Sequence, residues 1–190
     1  ETVGPFQPPK KQGKTWQSFK GFLAVIELVG GALLLALAIN GFVFQSYQVF
    51  GMSMDPTLDQ GDRLIISKFH KSWNNVFGGE YVPARGEVIV FRSPKNLDVQ
   101  LVKRVIGLPG ERVTLDEGVF TVFNDESPQG FNPDDLVDVD FADSSSGSVD
   151  VLVPDGHLFV SGDNRTPGGS LDSRNDLGTV PLENVSGSLT

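Results

Sequence analysis

The sequence predicts a mainly β protein: a single N-terminal transmembrane helix followed by one all-β domain. Three observations predict it. Residues 22–44 read FLAVIELVGGALLLALAINGFVF, with Glu27 the only charge. Beyond Phe44 the pattern changes to short runs rich in Val, Ile and Phe, most of them separated by Gly, Pro, Asn or Asp. No amphipathic helix of ordinary length stands between those runs, which leaves a β sandwich or barrel-like domain.

Residues 1–21 form the first element, a tail on the cytoplasmic side. Its first 14 residues are rich in Gly, Pro and Lys and read as flexible. The run 22–44 follows. As a helix it spans roughly 34 Å, enough for about 30 Å of hydrocarbon. Its apolar character continues all the way round, which favours lipid over a soluble core. It is long for a cleaved leader and lacks a clean small-x-small site after it. Lys10, Lys11, Lys14 and Lys20 precede it and no comparable cluster follows. This asymmetry places the N-terminus in the cytoplasm and residues 45–190 outside it.

Within 45–190, strands are expected over 45–50, 63–69, 87–91, 99–106, 112–115, 119–123, 149–153 and 157–161. The stretch 124–150 is an acidic insertion rich in Ser, Gly and Pro, read mainly as a solvated loop, with DLVDVDF (135–141) as a possible strand. The opening at Glu1 leads to the expectation of a trimmed or partial chain.

The 190 residues carry a net charge of −9, which argues against nucleic acid as a partner. Zero cysteines exclude disulfides and thiolate chemistry. His70 and His157 belong to no HExxH-like cluster, so neither metal nor cofactor is expected.

Three segments carry chemistry. In GMSMDPT, Ser53 follows the apolar run closely. In VQLVKRVIGLPGE, strand alternation puts Val99, Leu101, Lys103 and Val105 on one face. A lysine among apolar neighbours loses hydration, which disfavours its ammonium form and makes it a usable base. Taken alone, the segment better fits a lysine snorkelling to the sheet edge beside Arg104. In SGDNRTPGGSLDSRNDLGTVP, the loop pairs Asp163 with Arg165 and Asp172 with Arg174, and Ser170 is placed to hydrogen-bond the lysine amine.

Together, in this order and after an anchor, GxSMxPT, KRVxGLPGE, GDNR and SxDSR closely resemble the motifs of bacterial type I signal peptidases. The resemblance runs from about Ser46 to Pro181 apart from the acidic insertion. It implies a signal-peptidase-like β fold and a Ser/Lys protease of the bacterial cytoplasmic membrane that removes signal peptides from exported preproteins. Ser53 would be the nucleophile, with its N–H in the oxyanion hole, and Lys103 the general base. Ser170 would orient the lysine, Asp172 and Arg174 would form the supporting ion pair, Asp163 and Arg165 would brace the loop, and Arg104 would also support the site. By position, Val49, Met54, Leu58, Val90 and Val102 would line pockets for the small-x-small (Ala-x-Ala) residues before the cut.

Some positions depart from the pattern. Gly51 stands where some members carry a hydroxyl donor. Thr166-Pro167-Gly168-Gly169 lengthens the loop, and Asn175-Asp176-Leu177-Gly178 replaces the usual aromatic residues. The family's final strand, beyond GSLT, is expected to be missing. Ser53 lies nine residues past the apolar run, which holds it near the outer membrane surface, with Phe50, Phe69 or Trp73 resting against lipid. Two rivals are a cytosolic self-cleaving Ser/Lys repressor, which the anchor opposes, and a non-catalytic membrane-tethered β domain that binds exported or envelope proteins.

Overall fold

A computed structural model describes residues 14–42, 44–67, 78–141 and 147–189. It comprises two units, residues 1–40 and 41–190. Helix α1 (Lys14–Phe42) makes up the described part of the first unit. Its stretch Phe19–Leu37 has mean hydropathy 2.0 with none of it buried, so it is long and apolar enough to cross a membrane. The helix begins inside the expected tail and ends at Phe42, since Phe44 already belongs to strand β1. Lys10, Lys11, Phe69 and Trp73 lie outside the described residues.

Among the described residues, the second unit has ten strands. A seven-stranded antiparallel sheet runs in the order β1 (Phe44–Gln48), β2 (Arg63–Ser67), β10 (Val185–Leu189), β3 (Val88–Ser93), β4 (Asn96–Gly107), β8 (His157–Ser161) and β9 (Val180–Pro181). A three-stranded antiparallel sheet places β5 (Arg112–Asp116) between β6 (Val119–Phe123) and β7 (Val149–Leu152). The β5–β6 hairpin closes on Glu117 and Gly118, with φ of 47° and 83°, the paired positive φ values that suit a two-residue turn to strand twist.

Three apolar clusters hold this unit together. Ile89, Phe91, Val105, Leu158, Val160 and Val180 fill one face of the large sheet. Met54, Leu64, Ile66, Val88 and Val90 form the cluster behind Ser53. Val113, Leu115, Phe120 and Val122 of the small sheet close over Ile106 and Phe159 of the large one. Full burial of a Val, Leu, Ile or Phe side chain contributes about 1.5–3 kcal/mol, so these clusters fix the frame on which the polar site is mounted.

The eight expected strands are all present among the described residues, with ends shifted by up to three residues; residues 68 and 69 of the expected 63–69 lie outside the described residues. Strands β9 and β10 were not anticipated. The possible strand at 135–141 does not form: Pro133–Leu136 is a 3-10 turn, capped by the Asn132 side chain accepting from the Asp134 N–H, and the chain after it is irregular. Proline at the start of the turn fixes φ and withholds a ladder donor, which suits a turn better than a strand. The insertion is also more than a solvated loop, because Pro133 is buried and Phe131 bridges to Val122 of β6.

Candidate active site

Strand β4 is exposed over Asn96–Gln100 and fully buried from Lys103 to Gly107. Lys103 therefore sits where the strand enters the core and is 2% exposed. Its Nζ donates to Ser53 Oγ at 2.6 Å and to the Val102 carbonyl at 2.7 Å. Burial pushes the amine down from its usual value to about 8. Asp172 and Asp163 oppose that shift, and Arg174 adds to it. The lysine does not snorkel; it ends on the serine hydroxyl.

Ser53 is held from the loop that follows β8. The Asn164 N–H donates to the Ser53 carbonyl at 3.1 Å, and Asn164 Nδ2 donates to the Met52 carbonyl at 3.0 Å. The expected site residues did not include Asn164, although it lies within GDNR; a side-chain amide in a Gly/Asp-rich loop was the signal available. Gly162 permits the approach. A Cβ there would overlap both the Ser53 carbonyl oxygen and Ser170 Oγ, so the two serine segments meet over its bare Cα. Gly51, immediately upstream, has a φ of 89°.

The ion pairs differ in part from expectation. Asp172 accepts from Arg174 as a fork (Nε 2.9 Å, Nη2 2.7 Å) and also from the Gly162 N–H at 2.8 Å. Burial pushes the Asp172 carboxyl up, but Arg174 and the Gly162 N–H outweigh it and hold the group below its ordinary value. Asp163 pairs with Arg104, not with Arg165. Arg104 Nε and Nη2 reach the Asp163 carboxylate at 2.8 and 2.5 Å, and Thr57 Oγ1 donates to it at 2.5 Å. The reason is register: Arg104 faces Ser161 across the β4–β8 ladder, two residues from Asp163. Arg165 pairs instead with Asp134 of the acidic insertion (2.8 and 2.7 Å).

Ser170 differs as well. Its Oγ is buried beside the Asp172 carboxylate, whose ionised form it favours, while the lysine amine donates to Ser53 and to the Val102 carbonyl, so the expected bond between Ser170 and the amine is not formed here. The lengthened loop is locally closed. The Gly169 N–H donates to the Thr166 carbonyl, and Asn164 Oδ1 accepts from Thr166. Asn175 accepts from the Asp172 N–H and donates to the Ser170 carbonyl, while Leu177 is buried in the core. The loop after Arg174 thus keeps the Asp172–Arg174 register without the aromatic residues.

A cleft of about 110 Å³ opens beside Ser53 and Lys103. Of the residues expected to line substrate pockets, Val49, Val90 and Val102 border this cleft, joined by Tyr47, Phe50 and Leu101, with Gln48 and Gln100 as polar groups. Met54 and Leu58 do not line it. Met54 is core beneath it, 1% exposed, and Leu58 borders a separate hollow with Met52, Asp55 and Asp59. The residue after the serine turns its side chain into the Leu64–Ile66–Val88 cluster because that is where apolar burial is available.

The family model described as "Signal peptidase, peptidase S26" matches residues 22–190. The chain belongs to the signal peptidase family, peptidase S26. It is 34% identical over 158 residues to "Signal peptidase I" of Bacillus licheniformis, covering 82% of this chain and 80% of that protein. It is 35% identical over 159 residues to "Signal peptidase I S" of Bacillus subtilis strain 168, with coverage of 82% and 80%. Against "Probable signal peptidase I-1" of Synechocystis it is 34% identical over 180 residues, covering 90% and 81%. A solved signal peptidase I from Enterococcus faecalis V583 aligns with TM-score 0.45 and 30% identity over 59% of this chain and 100% of that one. As a member of this family the chain is a peptidase, a hydrolase with an N-terminal apolar helix that suits a membrane anchor.

Proposed function

We propose that this chain is a membrane-bound serine endopeptidase that cleaves signal peptides from exported preproteins, with Ser53 as nucleophile and Lys103 as general base. The observation that carries the reading is the 2.6 Å contact between Lys103 Nζ and Ser53 Oγ at a lysine that is 2% exposed. With the amine near pKa 8, roughly a tenth is neutral at pH 7. In that form the contact reverses: Ser53 O–H donates to the nitrogen lone pair, and the proton moves to Lys103 as Oγ attacks the scissile carbonyl. The oxyanion that forms is met by the Ser53 N–H. The ammonium then protonates the leaving amine, the new N-terminus of the mature protein. Water, deprotonated by the same amine, releases the acyl group and restores the serine.

Asp163 and Asp172 hold two guanidinium groups in the same buried region, which keeps their charge from being left uncompensated. The substrate runs extended along the cleft, between residues 47–50 and 100–103. Its small apolar walls select small side chains before the cut, with Ala-x-Ala preferred. Helix α1 anchors the enzyme with its N-terminus in the cytoplasm and its β unit on the outer face, where the substrate's cleavage site also lies. The shared bilayer raises their effective concentration.

The test is cleavage of a peptide spanning an Ala-x-Ala site, in detergent, by the wild type and by Ser53→Ala, Lys103→Ala and Lys103→Arg. All three variants are expected to be inactive while folded, the last because a guanidinium stays protonated. Substantial cleavage by Lys103→Arg would overturn the base assignment.

A further inference from the structure

We infer that the part of the acidic insertion spanning 131–141 is a positioning element for the loop that holds the nucleophile, with Asp134 and Phe141 acting through Arg165. The inference rests on the reading of Ser53 and Lys103 given above.

The segment is fixed at its start by reciprocal backbone hydrogen bonds between Phe131 and Val122, at 3.0 and 2.9 Å. Buried Pro133 and the Asn132 cap then set the direction of Asp134. Its carboxylate receives both terminal nitrogens of Arg165, a bidentate fork that fixes orientation as well as distance. The Arg165 and Asp134 side chains are 2% and 19% exposed. The guanidinium carbon also lies 4.1 Å from the Phe141 ring centre and 5.0 Å from that of Phe120.

Arg165 sits one bond along the chain from Asn164, whose N–H and side-chain amide clamp the Ser53 and Met52 carbonyls. Arg174, forked to Asp172, also donates to the Asn164 and Arg165 carbonyls. The insertion therefore holds the far side of the residue whose near side holds the serine. It touches the network at a second point. Val137 packs against Gly86, where any Cβ would crowd it, and the Gly86 carbonyl accepts from Arg104. Removing the Asp134 carboxylate leaves a buried guanidinium without that charge partner, and its drift toward water would pull Asn164 off Ser53.

The experiment uses the full chain in detergent micelles, an Ala-x-Ala peptide, and amide hydrogen exchange. Asp134→Ala is expected to lower kcat by about 10- to 100-fold with KM within about threefold, as displacement of a reacting group by about 1 Å would do. The Asn164 amide should exchange at least about tenfold faster while that of Val113 in β5 is unchanged. Asp134→Asn keeps one acceptor oxygen and should fall between the two, which covers the case where Asp134→Ala does not fold. Asp138→Asn with Asp140→Asn, removing two exposed charges of the same segment, should behave as wild type. In a cycle with Arg165→Ala, the double variant should be no worse than the worse single variant. Wild-type kcat and wild-type Asn164 exchange in Asp134→Ala, or losses that multiply in the double variant, would overturn the inference. If the wild type cleaves no such peptide, the enzymatic reading fails, and the exchange comparison alone decides the role of the segment.

Discussion

Arg104–Asp163 and Arg112–Asp150 are the same contact in two environments. Each is a guanidinium fork on a carboxylate, with Nε at 2.8 Å in both and Nη2 at 2.5 and 2.7 Å. The first pair is 7% and 0% exposed and lies in the network around Ser53 and Lys103; the second is 53% and 61% exposed and spans β5 and β7 of the small sheet. The Arg112 side-chain hydrogen bond holds the Asp150 carboxyl down, yet water can replace that partner. Nothing replaces Asp163 for Arg104. Burial, not pairing geometry, decides which charges this protein depends on.

The largest effect should come from the buried charge that has no fork to hold it. Lys103→Met is expected to reduce cleavage by on the order of 10⁴-fold or more, because nucleophile and base act as a unit. The same variant should melt no lower than wild type at pH 6. The sign follows from the depressed amine: below pH 8 the folded wild type holds an ammonium against desolvation, and that cost fades as pH rises from about 8 toward the unfolded value near 10.5. Any advantage of Met in thermal melts should therefore shrink across that window. A variant that melted far lower than wild type at pH 6 would mean that Lys103 supports the fold.

Next comes the buried fork. Asp163→Ala leaves Arg104 uncompensated and should cost about 3–5 kcal/mol in denaturant unfolding, with activity lost as well. Its counterpart Asp150→Ala should leave both melting temperature and cleavage within experimental scatter. Equal losses in the two variants would break the comparison.

What the sequence showed and what it hid divide along the same line. Ser53 and Lys103 were singled out by the ordered motifs GxSMxPT and KRVxGLPGE, because the lysine's strand taken alone suited a snorkelling side chain; the structure adds their contact. The Asp172–Arg174 pair is local, two residues apart in one loop. Arg165–Asp134 and Arg104–Asp163 are contacts 31 and 59 residues apart, set by strand register that no local spacing encodes. The central strand β10 was missed for a different reason. Its residues, VSGSL, are small and half polar, and their burial comes from β2 and β3 on either side. Gly187 fits there because a Cβ would strike the Ser67 carbonyl. Met54 was misplaced because family position says which residue follows the serine but not which way its side chain turns.

The central claim is that burial turns Lys103 into a base for Ser53, and direct titration of its side-chain amine by NMR tests it most closely. In folded protein with Ser53 intact, the Lys103 amine should titrate near pH 8, and the rate of peptide cleavage should rise with pH through the same value before levelling off. An amine that titrates near 10.5, together with a cleavage rate already at its plateau by pH 7, would contradict the account.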